Sequence, residues 1–281
     1  PPTWSSDGMR VAFTGIRPSG KKARLDLYDA TADGTGVTKL PGTRDGLDPV
    51  LSPDGRTLAF AREREREAMR PHRGKVIVFR SVSIWLLDLE SGAVSQVTPW
   101  RNGLFAFPSS FSPDGSTLAI TREARKAPGK SRTDAVALRL DGSGSTMLAE
   151  NAGGPVYSPD GTRLALVTIG NQRTIGSRGE SLTYSPTELA VAAADGSGLT
   201  RLTHTRKLEV LPRWDPSGQR LAYTLFSPVL DEAGALGLGD SIMEVNADGS
   251  CRTKVLSMPR VILYGATWQP GPGREAGPIA C

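Results

Sequence analysis

Cysteine and histidine are the scarcest chemically active residues in this chain of 281 residues, which holds two of each. With only His72 and His204 present, a three-histidine metal site is excluded, and no zinc spacing, Cys-x-x-Cys motif or phosphate-binding glycine loop occurs. Long apolar runs are also missing, since stretches such as 189–194 fall far short of the roughly 20 residues that a membrane-spanning helix needs. We therefore expect no metal, no cofactor and no membrane span.

Glycine and proline are abundant instead, with 32 Gly and 21 Pro, and 38% of the residues are hydrophobic. This composition indicates a globular chain with many turns. The net charge of +5 favours an anionic partner. The two cysteines, Cys251 and the last residue Cys281, suit a single tail-pinning disulfide in a protein outside the cytosol, with unpaired thiols as the alternative.

A ten-residue phrase recurs five times, as WSSDGMRVAF, LSPDGRTLAF, FSPDGSTLAI, YSPDGTRLAL and WDPSGQRLAY. Each copy is followed by a second phrase with an Asp-Gly or Ser-Gly turn, such as IWLLDLESGAVSQVT or LAVAAADGSGLTRLT. Because both phrases return five times along the chain, the sequence predicts a repeat architecture.

Each repeat predicts a four-stranded antiparallel meander. Its first strand ends at an aromatic or apolar residue, namely Trp4, Leu51, Phe111, Tyr157 or Trp214. The Ser-Pro-Asp-Gly segment then forms a tight turn, and the alternating segment RTLAF forms a half-buried second strand. The repeated aspartates are explained by the turns and need no metal.

The pairing of these two phrases resembles the TolB-like, WD40-like (PD40) propeller repeat, over residues 2 to about 270. The resemblance implies an all-β, six-bladed β-propeller of four-stranded antiparallel blades. The chain supplies five full repeats and then only GATWQP, so the sixth blade is incomplete; a five-bladed ring is the alternative. The predicted single domain divides into blades at 2–48, 49–107, 108–154, 155–211 and 212–264, a partial last blade at 265–270 and a tail at 271–281.

In such meanders, the connection between strands two and three and the crossover to the next blade lie at one end, here called the long-loop face. The insertions there are basic in four repeats (GIRPSGKKAR, REREREAMRPHRGK, REARKAPGKSR and GNQRTIGSRGE) and acidic and apolar in the fifth (SPVLDEAGALGLGDS). A positive rim attracts anionic ligands. Alternatively, these charges are merely solvated, and REREREA is a short salt-paired segment that extends a strand or coils briefly.

Aromatic residues beside guanidinium and amide groups in the crossover at 99–107 suit a sugar, a nucleobase or a peptide, although such a segment can equally pack a blade joint. The candidate ligand-binding residues are Trp100, Arg101, Asn102, Phe105, Arg206, Lys207, Arg62, Arg64, Arg66, Arg122 and Arg125. No catalytic motif is present. The best candidate for a general acid or base is His204, and the candidate acids are Asp48, Glu209, Asp231 and Asp240.

These features predict a secreted or periplasmic scaffold, monomeric, that binds a protein, an anionic small molecule or a saccharide through its long-loop face. An enzyme of the hydrolase, lyase or cyclase kind, using the central funnel on that face, is the alternative, because propellers host both classes. A piece of a longer protein with its catalytic domain elsewhere is a third reading. Nucleic acid is disfavoured, since no RRM-like or groove-binding helical element occurs.

Overall fold

The computed structural model describes residues 2–19, 22–69, 76–127, 130–177, 180–230, 236–257, 266–270 and 278–279. The described residues form strands and turns without any helix, which confirms the all-β prediction. They belong to two compact units, Pro1–Thr146 with Gln269–Gly271, and Met147–Trp268 with Pro272–Cys281.

The first unit contains two complete meanders and three strands of a third. The first meander consists of β1 (Thr3–Trp4), β2 (Arg10–Ser19), β3 (Lys22–Thr31) and β4 (Thr38–Lys39). The second consists of β5 (Gly46–Leu51), β6 (Thr57–Met69), β7 (Val76–Asp88) and β8 (Val94–Gln96). The third contributes β9 (Leu104–Phe111), β10 (Thr117–Ala127) and β11 (Lys130–Arg139), and β12 (Ser145–Glu150) spans the division between the units.

The second unit contains two further meanders. The first of them runs through β13 (Ala152–Tyr157) and β14 (Arg163–Ile169), then a separate ribbon of β15 (Arg173–Ser177) and β16 (Glu180–Tyr184), then β17 (Thr187–Ala193) and β18 (Thr200–Arg201). The other consists of β19 (Leu208–Trp214), β20 (Arg220–Leu230), β21 (Leu236–Asn246) and β22 (Thr253–Ser257). All five first strands end at the predicted residues. Residues 266–270 form no strand, and the blade count and the single domain stay predictions.

The second strand of a repeat is more deeply buried than its alternating sequence predicts. In β6, Leu58, Ala59, Phe60 and Ala61 are all 0% exposed. Leu58 and Phe60 pack against the first meander, and Ala59 packs against the third. A sheet covered on both faces in this way loses the polar side that alternation normally marks.

The repeated aspartates hold the turns, as predicted. Ser52 donates its hydroxyl to Asp54 Oδ1 at 2.6 Å, and Asp54 Oδ1 accepts the Arg56 N–H at 3.1 Å. The same serine oxygen accepts the Thr57 N–H at 2.9 Å. Equivalent bonds occur at Ser5–Asp7, Ser112–Asp114 and Ser158–Asp160.

The fifth repeat exchanges the two polar residues of this turn and keeps its bonds. Asp215 stands in the serine position and accepts the Gln219 and Arg220 N–H groups, each at 2.9 Å. Ser217 stands in the aspartate position and donates to Asp215 at 2.7 Å. The departure from the repeated phrase is therefore a reversal of donor and acceptor.

Where the structure describes the basic insertions, they are strand extensions. β6 and β7 pair without a register shift from Thr57–Asp88 to Met69–Val76, and the insertion of the fourth repeat forms the ribbon of β15 and β16. The interpretation of REREREA as an extended strand is thus confirmed. Because side chains alternate along a strand, Arg62 and Arg64 lie on one side of the ribbon and Glu63 and Glu65 on the other.

Candidate functional site: the arginine–tryptophan patch

Several predicted ligand-binding residues come together around two tryptophans in the second repeat. The Arg62 guanidinium carbon lies 4.4 Å from the centre of the Trp85 ring, and the Arg64 carbon lies 5.7 Å from that of Trp100. The two indole rings are themselves 6.3 Å apart. We call Arg62, Arg64, Trp85, Trp100, Arg101 and Asn102 the arginine–tryptophan patch.

The register of β6 and β7 explains why these side chains meet. Arg62 and Arg64 are two residues apart on β6, so they share one side of the sheet. Phe60 pairs with Trp85 across the strands, which places the indole beside the arginine that follows Phe60 on that side. The crossover after β8 then carries Trp100 to the same side, against Trp85.

Arg62 anchors the patch to the neighbouring crossover. Its Nη2 donates to the carbonyl of Gly42 and its Nε donates to that of Arg44 at 3.1 Å. Burial lowers the pKa of the Arg62 guanidinium, but an arginine keeps its charge at physiological pH. Arg62 therefore positions the surface around it and has few donors left for a ligand.

Arg64 and Arg101 have free donors. Both side chains are exposed, and within the described part of the chain neither forms an ion pair with a carboxylate. Asn102 is exposed beside them, and Trp100 is half-buried. Among the described residues, the patch thus presents two guanidinium groups without a carboxylate partner: Arg64 over the ring of Trp100, and Arg101, which follows Trp100 in the chain.

Gly103 sets the path of the turn that carries Trp100 and Arg101. Its φ is +74°, and a Cβ placed there would lie 2.9 Å from the carbonyl oxygen of Arg125. The Gly103 carbonyl also accepts the Arg125 N–H at 2.8 Å. Only glycine combines this conformation with this close approach.

The other basic candidates of the first unit are engaged elsewhere. Arg125 pairs with Glu123 at 2.7 Å and covers Phe105, which is only 7% exposed and packs against Ala61 and Val82. Phe105 thus packs a blade joint, as the alternative interpretation had it. Arg122 lies 3.7 Å from the buried Asp134, on the opposite side of β10. The Arg66 side chain lies outside the described residues.

The candidates in the second unit lie in the crossover before β19 or at its first residues. His204 is 76% exposed, with Nδ1 3.6 Å from Glu188 Oε2. Arg206 is exposed, and its carbonyl accepts the hydroxyl of Tyr184 at 3.2 Å, whereas Lys207 is half-buried.

Glu209 is fully buried and its carboxylate is occupied. It accepts the Leu189 N–H and the Thr205 hydroxyl, each at 2.9 Å, and also the Thr203 hydroxyl. Burial raises the pKa of the adjacent Tyr223, and the negative charge of Glu209 adds to this effect. This carboxylate ties β19 to β17 and is not placed to exchange a proton with a ligand.

The remaining candidate acids add no catalytic group. Asp48 is part of β5, with a φ of +51° at a shift in register. Asp231 and the side chain of Asp240 lie outside the described residues. No group of three or more His, Cys, Asp or Glu residues suited to a metal occurs in the described part.

The tail contacts the turn between β21 and β22. Asn246 Nδ2 donates to the carbonyl of Ile279 at 3.0 Å, and the Ile279 N–H donates to Asn246 Oδ1 at 2.7 Å. Cys251, in the same turn, is not a free thiol, and Cys281 lies outside the described residues. The disulfide between them stays a prediction.

Sequence reasoning missed two members of these clusters, Trp85 and Glu188. Trp85 stands inside an apolar strand and has the pattern of a core residue, but pairing REREREA with the next strand would have placed it beside an arginine. Glu188 precedes a buried strand residue and carries no local signal.

Comparison with known proteins bears on the repeat. No family model matches the chain. The Tol-Pal system protein TolB of Anaeromyxobacter dehalogenans is 29% identical over 221 residues, which is 74% of this chain and 44% of that protein. The crystal structure of TolB from Acinetobacter baumannii matches with a TM-score of 0.65 and 18% identity, covering 96% of this chain and 56% of that one. The chain is similar to TolB in sequence and has the β-propeller fold.

This TolB-like propeller also shares its fold with an enzyme. An oligogalacturonate lyase in complex with manganese matches at a TM-score of 0.52 and 15% identity, over 92% of this chain and 64% of that one. The chain spans less than half the length of the TolB relative from Anaeromyxobacter. No helix in the described residues is long and apolar enough to cross a bilayer.

Proposed function

We propose that this TolB-like propeller is an exported interaction scaffold that binds an acidic segment of a partner protein through the arginine–tryptophan patch. The observation that carries this proposal is the pair of exposed guanidinium groups, Arg64 and Arg101, which no described carboxylate neutralises beside the half-buried Trp100. The relative named for the Tol-Pal system supports a protein as the partner.

The chemistry of the patch suits carboxylates on a peptide. A guanidinium group stacked on an indole face keeps its in-plane N–H donors, which match a carboxylate in a bidentate geometry. Tryptophan and arginine are also the residues that most often dominate binding at protein interfaces. An indole beside the charges adds contact area for the aliphatic parts of the peptide.

Fluorescence anisotropy with a short labelled oligoglutamate peptide tests the proposal. Replacing Arg64 and Arg101 by glutamate should weaken binding at least about tenfold at low ionic strength. The matched control replaces Arg56 and Arg139, which are also exposed in the first unit, and makes the same change in net charge. Equal weakening by both pairs would show attraction by net charge alone and would refute a defined site.

A competing ligand separates a peptide site from a saccharide site. Unlabelled oligogalacturonate carries carboxylates at a similar spacing but has no peptide backbone. If it displaces the peptide at a lower concentration than unlabelled oligoglutamate does, the protein-partner proposal is wrong and an acidic saccharide takes its place.

A further inference from the structure

An arginine stacks on a tryptophan at two successive junctions between repeats of the second unit. The Arg163 guanidinium carbon, at the start of β14, lies 4.7 Å from the centre of the Trp214 ring, at the end of β19. Likewise Arg220, at the start of β20, lies 4.8 Å from the ring of Trp268. In both cases, the arginine that begins the second strand of one repeat covers the tryptophan that precedes the turn of the following repeat.

The first repeat has an arginine at the equivalent position, and this arginine also pairs with a carboxylate. Arg220 donates to Glu244 at 3.2 Å, and Glu244 pairs with Ala222 across β20 and β21. Arg10, at the start of β2, forms an ion pair with Asp29, which pairs with Ala12 in the equivalent register. A carboxylate on the third strand therefore orients the arginine in both repeats.

At the junction between the first and second repeats, no described aromatic side chain occupies the position beside Arg10 that Trp214 occupies beside Arg163. The residue equivalent to Trp214 is Leu51, and a cavity of about 140 Å³ lies there. Its walls include Leu40, Leu51, Leu58 and Leu89, with the Arg10–Asp29 pair and Ser5 as the polar part. It lies beside the turn after β5, at the other end of these strands from the arginine–tryptophan patch.

We propose that this cavity binds a planar aromatic ring between benzene and indole in size, in the place that tryptophan fills in the later repeats. Apolar cavities of about 150 Å³ in proteins bind benzene, so the volume is sufficient for one ring. The Arg10 side chain is 62% exposed, and its guanidinium group, held by Asp29, complements the electron-rich face of such a ring. This site is independent of the proposed binding of acidic segments.

Titration with indole, followed by calorimetry or ligand-observed NMR, tests the proposal directly. Saturable binding with a Kd below about 1 mM is expected. Cyclohexanol is the saturated control and should bind at least about fivefold more weakly. No saturable binding of indole up to about 5 mM, or equal binding of cyclohexanol, would overturn the proposal.

N-acetyl-tryptophanamide distinguishes the two sources of such a ring. If it binds as well as indole does, the site accepts an aromatic side chain of a polypeptide. If indole binds and the amide does not, the site takes a free small aromatic compound. Either result supports an aromatic site.

Variants locate the binding. Leu51→Trp should fill the cavity and reduce indole binding at least about tenfold. Tyr157→Trp adds an indole at the equivalent position of another repeat and should leave binding unchanged. Arg10→Met keeps the apolar stem and removes the cation, with an expected two- to fivefold loss, or about 0.5–1 kcal/mol.

Thermal unfolding shows that each variant is folded, and Leu51→Phe replaces Leu51→Trp if the larger ring is not accommodated. Unchanged binding of indole by a folded variant with a ring at position 51 would place the ligand elsewhere and refute the site.

Discussion

Arg163 and Trp214 join the two meanders of the second unit through one stacking contact and two hydrogen bonds. The guanidinium carbon of Arg163 lies 4.7 Å from the ring centre of Trp214, and its Nη2 donates to the carbonyl of Gly218 at 2.6 Å. The indole Nε1 of Trp214 donates to the carbonyl of Val156 at 3.0 Å. Trp214 itself makes the stacking contact and one hydrogen bond, and the second hydrogen bond holds the arginine that covers it, so this junction should be sensitive to the loss of Trp214.

Trp214→Leu should destabilise the protein by about 2–4 kcal/mol, because it removes a buried ring and leaves a void beneath Arg163. Urea unfolding measures the change as a lower midpoint with an unchanged slope. Trp100→Leu, at the half-buried indole of the arginine–tryptophan patch, is the control and should cost less than about 1.5 kcal/mol. Equal losses would contradict a special role for the junction.

The sequence indicated the turns and strand ends correctly because each is a local property. Ser52, Pro53, Asp54 and Gly55 encode a turn by their own bonds and dihedral preferences, and repetition makes the signal visible. Burial was harder to predict, because Ala59 and Ala61 become inaccessible only when a neighbouring sheet packs on them. The arginine–tryptophan patch was predicted in part, since Trp100 and Arg64 were visible as residue types, whereas their contact depends on strand register.

The turn aspartates should make stability depend on acid. Hydrogen bonds from Ser158 and from Thr162 lower the pKa of Asp160 from 3.8 to about 2. A lowered pKa in the folded state means that the unfolded chain takes up the proton first as the pH falls. This stabilisation is therefore present above about pH 4 and is lost between pH 4 and 2.

Asp160→Asn should flatten the pH dependence of unfolding between pH 4 and 2, and it should lower stability at neutral pH. Midpoints of urea unfolding across this range measure both effects, with Ser158→Ala as a second variant, since the Ser158 hydroxyl is the largest cause of the shift. A slope for Asp160→Asn equal to that of the natural protein would argue against the hydrogen-bonded carboxylate.

Glu209 should be essential for stability and not for binding. Glu209→Ala removes the acceptor of the Thr203 and Thr205 hydroxyls and the carboxylate partner of Arg252, and about 3–5 kcal/mol should be lost. Glu209→Gln retains one acceptor oxygen and the side-chain volume, so it should cost less. Both are measured by urea unfolding. An alanine variant within about 1 kcal/mol of the natural protein would show that this network contributes little.

Gly103→Ala should perturb the arginine–tryptophan patch through the backbone. The new Cβ would meet the carbonyl of Arg125 at 2.9 Å, and a φ of +74° is unfavourable for alanine, so about 1–3 kcal/mol should be lost. Because Trp100 and Arg101 precede this glycine in the same turn, binding of the oligoglutamate peptide should weaken as well. Gly55→Ala is the control, since it shares a positive φ of +70° with open space around its Cβ. The Gly55→Ala variant should lose stability and keep its affinity for the peptide. Weaker peptide binding by this control would show that backbone strain in either turn, and not the position of the patch, determines the affinity.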